Sequence, residues 1–409
     1  AWRMRKDIPE LLAPAGDRER LETALLYGAD AVYLAGKGFG LRAACGNFDE
    51  EGLREAVRLA HTQGARAYVA CNILPRNEEI RRLPAFLELV QDAGADAVIA
   101  ADLGVMGLVK RHAPRCALHA STQLGVVNEE TARVLYEHGV ARVVLARELS
   151  LEEIEEIRAR TPAALELEAF VHGAMCMAYS GRCMLSAYLT GRDANRGDCA
   201  QPCRWRFRIR EAGRPGPEWS AEAGEDGAYL FNAMDLCMVE HIAALDRAGI
   251  GSFKIEGRAK AAYYTAAAVN AYRAAMDGYA AAGCPADYVV PAWIREELDK
   301  ISHRPYGTGF YFGPPEQATD SGGYIQDYEV AAVAEGWKEG RLLLSQRNRF
   351  AAGDRLEILE PGRPPIPLIA AELLDGEGHP ITTAPHPTMK LSLACPHPVT
   401  PGVMLRRKK

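Results

Sequence analysis

The sequence predicts an α/β fold: a (β/α)8 TIM-like barrel with a cysteine-rich insertion after strand 7, followed by a small C-terminal β-barrel domain. Three observations predict it. Eight short apolar runs alternate with amphipathic helical stretches through the first two thirds of the chain. From about residue 326 the pattern changes to short alternating runs broken by turns. Between the seventh and eighth runs lie almost eighty residues that hold Cys176, Cys183, Cys199 and Cys203. The expected division is a barrel over residues 1–290 that includes the cysteine-rich insertion at 174–233, a linker over 291–325 and an all-β domain over 326–409.

The apolar runs are ELLAPA (10–15), DAVYLAG (30–36), ARAYVACNI (65–73), DAVIAAD (96–102), ALHAS (117–121), ARVVLARE (141–148), LELEAFVHG (165–173) and SFKIEG (252–257). Most are continuously apolar, as strands buried on both faces should be. Between them, 17–28, 49–64, 78–94, 128–139 and 150–160 repeat apolar residues at helical spacing. Asp17, Asp49, Asn128 and Ser150 are expected N-caps, and several of these stretches end in Gly. No Gly-rich dinucleotide fingerprint follows the first strand, which disfavours a doubly wound sheet. A helix is expected over 234–249 and another over 259–280. In a barrel of this kind the loop after strand 7 leaves from the active-site face, so the cysteines fall where chemistry is expected.

The net charge is −6, which argues against a globally basic nucleic-acid binder but leaves room for a local basic face. No apolar run reaches the roughly 18–20 residues of a membrane span, and no secretory leader is visible. A cytoplasmic protein with no membrane partner is expected, and in that compartment clustered thiols indicate metal or redox chemistry more than disulfides. Only Cys199 and Cys203 have zinc-like spacing. Single, widely spaced cysteines that converge suit an iron–sulfur centre, while buried thiols or a redox pair are the alternative. Cys237 follows in NAMDLCMVEH.

The strand ends carry further candidates. Gln123 follows strand 5, Arg147 ends strand 6, Glu168 and His172 lie on strand 7, and Lys254, Glu256 and Arg258 alternate on strand 8. Arg42 follows strand 2. Arg or Lys beside a carboxylate suits an anionic substrate next to an acid–base group; the alternative is a buried ion-pair network that closes the barrel. The stretch RWRFRIR (204–210) alternates strictly and is expected to be a strand with one basic face. Arg204 and Arg206 lie on that face, with Trp205 available for stacking on RNA. The terminal RRKK (406–409) reads as a solvated tail.

EAFVHGAMCMAYSGRCMLS (168–186), RGDCAQPCRW (196–205), FNAMDLCMVEHI (231–242), FKIEGRAK (253–260) and SHRPYGTGFYFG (302–313) resemble the signature segments of the collagenase-like peptidase family U-32, as does the opening ELLAPAGDRERLETALLYGADAVYLAG. The resemblance spans essentially the whole chain. It implies hydroxylation without molecular oxygen: of the tRNA wobble uridine to 5-hydroxyuridine with a prephenate-like donor in one branch, of a cytidine of large-subunit ribosomal RNA in a second, and of the ubiquinone ring in a third. Chain length and the CRW segment look most like the tRNA branch.

The resemblance also implies a 4Fe-4S cluster on Cys176, Cys183 and Cys199, with Cys203 or Cys237 as the fourth ligand. For that chemistry the strand-end candidates are expected to place Arg147, Lys254, Arg258, Arg42 and Gln123 around a small dicarboxylate donor, with Glu168, His172 and Glu256 as acid–base groups and tRNA as partner along Arg204, Trp205 and Arg206. Other readings are a metal-dependent peptidase and a non-catalytic RNA-binding or redox module. No GxSxG elbow or HExxH motif supports a known hydrolase centre.

Overall fold

The computed structural model describes residues 8–40, 46–179, 182–207, 231–318 and 323–409. Arg42 and residues 208–210 of the arginine-rich stretch lie outside them. The first sheet has ten strands, of which the first nine in chain order are β1 (Glu10–Pro14), β2 (Ala31–Leu34), β3 (Arg66–Cys71), β4 (Ala97–Ala100), β5 (Ala117–Ala120), β6 (Val140–Val144), β7 (Glu166–Gly173), β8 (Asp235–Cys237) and β9 (Ser252–Ile255). All but β8 are parallel neighbours in the order β7-β6-β5-β4-β3-β2-β1-β9. A further pairing of β7 with β9 closes the eight-stranded barrel. Every residue of β2 and of β4 is buried, as expected of strands covered on both faces.

Helices α1 (Arg18–Leu26), α2 (Glu50–Thr62), α3 (Asn77–Asp92), α4 (Leu103–His112), α5 (Glu129–Glu137) and α6 (Leu151–Arg160) follow the first six strands. Asp17, Asp49, Asn128 and Ser150 each accept a backbone N–H at a helix start, and Ser150 does so within a capping box with Glu153. Asp102, at the end of β4, accepts from Val105 N and caps α4. Beyond β7 come α7 (Leu185–Thr190), α8 (Ile242–Arg247), α9 (Ala262–Ala281) and α10 (Ala292–Asp299). Helix α10 lies in the stretch expected as a linker and packs its Ile294 and Leu298 into the barrel's apolar core. Among the described residues no helix is long and apolar enough to cross a membrane.

Three local expectations need correction. Residues 234–249 are not one helix. Their first part is β8, which pairs antiparallel with the end of β7 (His172 opposite Cys237) and parallel with β10 (Tyr306–Gly307). The ladder on both sides, and the buried Asp235–Arg304 ion pair at 2.7 Å, override the local helical periodicity. The stretch 204–210 does not begin as a strand. Pro202–Arg204 form a 3-10 turn, Arg204 contacts the Tyr324 hydroxyl, and so the alternation does not place Arg204 and Arg206 on one strand face. The terminal basic run is not a solvated tail, because Met404–Lys408 is a strand and Arg406 is completely buried.

The C-terminal part holds β11 (Tyr328–Lys338), β12 (Arg341–Gln346), β13 (Phe350–Ala351), β14 (Arg355–Leu359), β15 (Ile366–Ile369), β16 (Leu374–Asp375), β17 (Thr383–Ala384), β18 (Lys390–Ala394) and β19 (Met404–Lys408). Seven of them form an antiparallel sheet in the order β15-β14-β19-β11-β12-β18-β16, and β13 pairs with β17. Leu342, Leu344, Ile358 and Leu405 belong to its own core. Tyr27 of α1's C-cap donates to Leu359 O at 2.7 Å, and Arg406 reaches Glu297 of α10 and Glu357 of β14, so the sheet is fastened to the barrel by buried polar contacts.

Candidate active site

The barrel interior is layered. At the bottom the charges form a closed network. Arg142 of β6 binds Glu10 of β1 at 2.7 Å and Glu168 of β7 at 3.1 Å, and Lys254 of β9 binds the other Glu168 oxygen at 2.6 Å. Tyr68 and Ser252 complete the Glu10 carboxylate. Burial alone would raise the Glu168 carboxyl, but Lys254 and Arg142 outweigh it and hold its pKa below the ordinary value. Glu168 is therefore an ionised structural partner of two cations. His119 of β5 lies beside this network, and burial and then Arg142 lower its pKa to about 3.

Above the charges sit two aromatic rings. The Lys254 ammonium is 4.6 Å from the Tyr33 ring centre and 5.4 Å from that of Phe170. The Arg147 guanidinium lies over the Phe170 ring, 4.2 Å from its centre. A cavity of about 480 Å³ opens over them at the C-terminal ends of the strands. That volume is in the range of small-molecule sites.

Its wall carries Gln123, Arg147, Lys254, Glu256 and Arg258 from the barrel, and Cys176, Cys183, Cys199 and Cys203 from the insertion. Tyr33 donates to Glu256 Oε2 at 3.3 Å. Arg147 donates to Ala174 O at 2.7 Å, while its buried Nε finds no partner among the described residues. Gln123 is buried, and neither atom of its amide has a hydrogen-bond partner among the described residues. A buried amide without partners is costly unless a ligand completes it.

The insertion is held from below by Arg304. This fully buried side chain donates to Asp235 at 2.9 Å, to Asn232 at 2.9 Å and to Met175 O at 3.2 Å. It thus ties the segment before Cys176 to the segment that returns to β8. Gly173 makes the departure from β7 possible: its φ is +114°, and a Cβ there would stand 2.6 Å from Glu256 O. Within the insertion Ala200 N donates to Ser186 Oγ at 3.0 Å, and the Asn195 amide donates to Cys183 O at 3.3 Å, which draws the Cys183 and Cys199 segments together.

The thiols differ. Burial raises the pKa of Cys203, opposed by Arg204 and reinforced by Cys176 and Cys199, so these three sulfurs share one electrostatic neighbourhood. Cys237 lies elsewhere, buried on β8, and burial pushes it up to about 11 with Arg295 and Tyr272 nearby. Among the described residues no three His, Cys, Asp or Glu side chains converge closely enough to hold a single metal ion.

His172 also stands apart from the cavity. Its ring is caged by Tyr264, Tyr272 and Tyr306 at 5.8, 5.5 and 5.5 Å between centres. Both nitrogens lack a hydrogen-bond partner among the described residues, and burial lowers its pKa to about 3. Trp205 is 43% exposed.

The structure therefore brings Gln123, Arg147, Lys254, Glu256, Arg258 and four cysteines to one cavity and separates Glu168, His172 and Cys237 from it. Sequence reasoning missed Tyr33, Phe170 and Arg304. Tyr33 sits in a strand apolar on both faces, where alternation gives no inward signal, and Phe170, two residues from Glu168 and from His172 on β7, reads as ordinary apolar packing. Arg304 was legible only as a charge in the polar segment SHRPYG.

Comparison with known proteins places this site in a family. The description "Peptidase family U32" matches residues 16–321, and "Peptidase family U32 C-terminal domain" matches residues 326–406. The chain is 37% identical to tRNA hydroxylation protein P1 of Bacillus subtilis over 98% of its own length and 95% of that protein. It is 37% identical to tRNA hydroxylation protein P of Escherichia coli over 91% of both chains. To the 23S rRNA 5-hydroxycytidine C2501 synthase of Escherichia coli it is 38% identical, over 66% of this chain and 39% of that one. With both family descriptions matched along nearly the whole chain, the protein belongs to peptidase family U32.

Proposed function

We propose that this protein hydroxylates an RNA base, specifically the wobble uridine of tRNA to 5-hydroxyuridine, with a small prephenate-like dicarboxylate as hydroxyl donor. The observation that carries the reading is the shared wall: four thiols face three cations and an unsatisfied amide across one cavity at the barrel mouth. The relatives named for tRNA and rRNA hydroxylation supply the substrate class. The reading carries a cytoplasmic location and tRNA as partner.

In this reading Arg147 and Arg258 bind the donor's carboxylates, since guanidinium forks match carboxylate geometry. Phe170 and Ala174 O fix the Arg147 plane. Lys254 is half-committed to Glu168 and forms the charged floor. Gln123 reads a neutral hydroxyl or carbonyl of the donor. Glu256, contacted by the Tyr33 hydroxyl, is the acid–base candidate at the cavity. Glu168 serves as a positioning residue for Lys254, and His172 as packing behind β7.

Four soft thiolates around one cavity fit the donor set of a 4Fe-4S cluster, and a four-iron cluster keeps its thiolates farther apart than a single tetrahedral ion does. Cys176, Cys183, Cys199 and Cys203 would hold it; Cys203 is preferred to Cys237 because it neighbours Cys176 and Cys199. Bound there, the cluster would supply a Lewis-acidic or redox-active iron beside the donor. The test is iron and acid-labile sulfide in protein prepared without oxygen. About four of each per chain, lost in Cys176→Ala and Cys183→Ala, is the expected result. Zinc alone, or no metal, would overturn the cluster assignment.

A further inference from the structure

A second cavity of about 570 Å³ adjoins the Cys176 segment. Cys176, Met177 and Tyr179 line both cavities, so one stretch of the insertion is the partition between them. The far wall comes from 306–317, the Gly-, Pro- and aromatic-rich segment YGTGFYFGPPEQ.

The two cavities differ in charge. The first carries Arg147, Lys254 and Arg258 against Glu256. Among the described residues that line the second there is no Lys or Arg, and its ionisable carboxylates are Glu148 and Glu316. A dicarboxylate or a phosphate is repelled there. A flat, uncharged group is not, provided it brings hydrogen-bond donors.

The second cavity also has the surfaces such a group needs. Phe312 is 56% exposed, yet its ring is braced by His241 at 4.7 Å between centres. It is a fixed platform with a free face. Tyr179 is exposed on the partition. Gln317 lines the cavity, and its amide oxygen is shut off from solvent with no hydrogen-bond partner among the described residues. An orphaned acceptor beside an aromatic platform suits the N–H edge of a stacked nucleobase.

We propose that this second cavity receives the target pyrimidine base, turned out of a single-stranded RNA loop, while the first holds the anionic donor. The base stacks on Phe312, presents a ring N–H to Gln317, and reaches the donor's cavity where the two cavities adjoin along the Cys176–Tyr179 stretch. Splaying a base out of a loop is the usual route for a protein that works on RNA bases. The inference rests on the RNA-hydroxylation reading and adds to it where the base sits and what recognises it.

The test is photo-crosslinking of the full chain, prepared without oxygen, to an anticodon-sized RNA hairpin carrying one 4-thiouridine in its loop. The crosslink is expected within 306–317 or at Tyr179. Phe312→Ala should lower its yield about ten-fold, in line with the loss of one base–aromatic stack, and Gln317→Leu should lower it several-fold. Excess prephenate should leave the crosslink in place.

A crosslink confined to first-cavity residues such as Gln123 or Phe170, one abolished by prephenate, an unchanged yield in Phe312→Ala, or no crosslink would each overturn the assignment. Filter binding of the hairpin and the 5-hydroxyuridine content of cellular tRNA report separately on the underlying reading. Binding and hydroxylation with a crosslink elsewhere sink only the base site; neither binding nor hydroxylation sinks both.

Discussion

Glu168 and His172 lie on one strand, and burial acts on them in different company. Glu168 has two cations within ion-pair distance and stays ionised. Removing its charge by Glu168→Gln leaves Arg142 and Lys254 under-compensated in the barrel, and a loss of about 3–5 kcal/mol is expected for a broken buried pair. Urea unfolding checks it; a loss below about 1 kcal/mol would mean that the network is solvated. His172 has rings around it, and burial outweighs the opposing pull of Asp235, so its folded pKa of about 3 lies below its ordinary 6.5.

The sign follows from proton counts. Between those values the unfolded chain binds the proton and the folded chain does not. The stability His172 contributes is therefore fully present above pH 6.5 and lost progressively as pH falls toward 3, at up to about 1.4 kcal/mol per pH unit. Glu168, with its depressed pKa, adds a loss in the same direction at lower pH, below the ordinary carboxyl range. His172→Phe should flatten the pH dependence of the urea midpoint between about pH 6 and pH 4 and leave RNA hydroxylation intact. An unchanged slope, or loss of hydroxylation in a folded variant, would return His172 to the chemistry.

At the scale of elements, the insertion depends on a residue far along the chain. Arg304 fixes Met175, Asn232 and Asp235 together. Arg304→Met strands the buried Asp235 carboxylate, and we expect a lower thermal midpoint together with poor iron retention. Full iron content in that variant would show that the insertion holds itself. The choice of fourth thiol is a second test at this scale: Cys203→Ser should lose the iron and Cys237→Ser should keep it, and the reverse would move the centre toward β8.

The eight barrel strands and their capping residues were legible because each is set by local pattern: continuous apolar runs, and Asp, Asn or Ser at helix starts. The segment 234–249 was misread because the same apolar spacing serves a short strand once β7 and β10 offer it hydrogen bonds. The alternation in 204–210 was misleading at its start because Pro202 opens a 3-10 turn instead. Among the candidate site residues, those at strand ends reach the cavity. Glu168 does not, because it lies deeper on β7 among the interior charges, nor does His172, whose ring is caged by tyrosines from α9 and β10.

At the scale of the molecule, the C-terminal sheet and the barrel are joined through charge as well as apolar contact. The sequence alone presented Arg406 as one of four terminal basic residues, and nothing local signals that it is buried between Glu297 and Glu357. Its partners stand more than forty residues away, a distance over which periodicity carries no information. The charges of the barrel interior pair with one another up to the floor of the first cavity. Above that floor Gln123 and Arg147 keep polar atoms without partners among the described residues. We propose that those groups and the thiols above them act together in the hydroxylation of tRNA.

The most direct test is the 5-hydroxyuridine content of tRNA, measured by nucleoside mass spectrometry, in a strain lacking the gene and carrying either the wild-type chain or Cys176→Ala. The modified nucleoside should disappear on deletion, return with the wild-type chain and stay absent with Cys176→Ala. Unchanged 5-hydroxyuridine in the deletion strain, or its full return with Cys176→Ala, would overturn that reading.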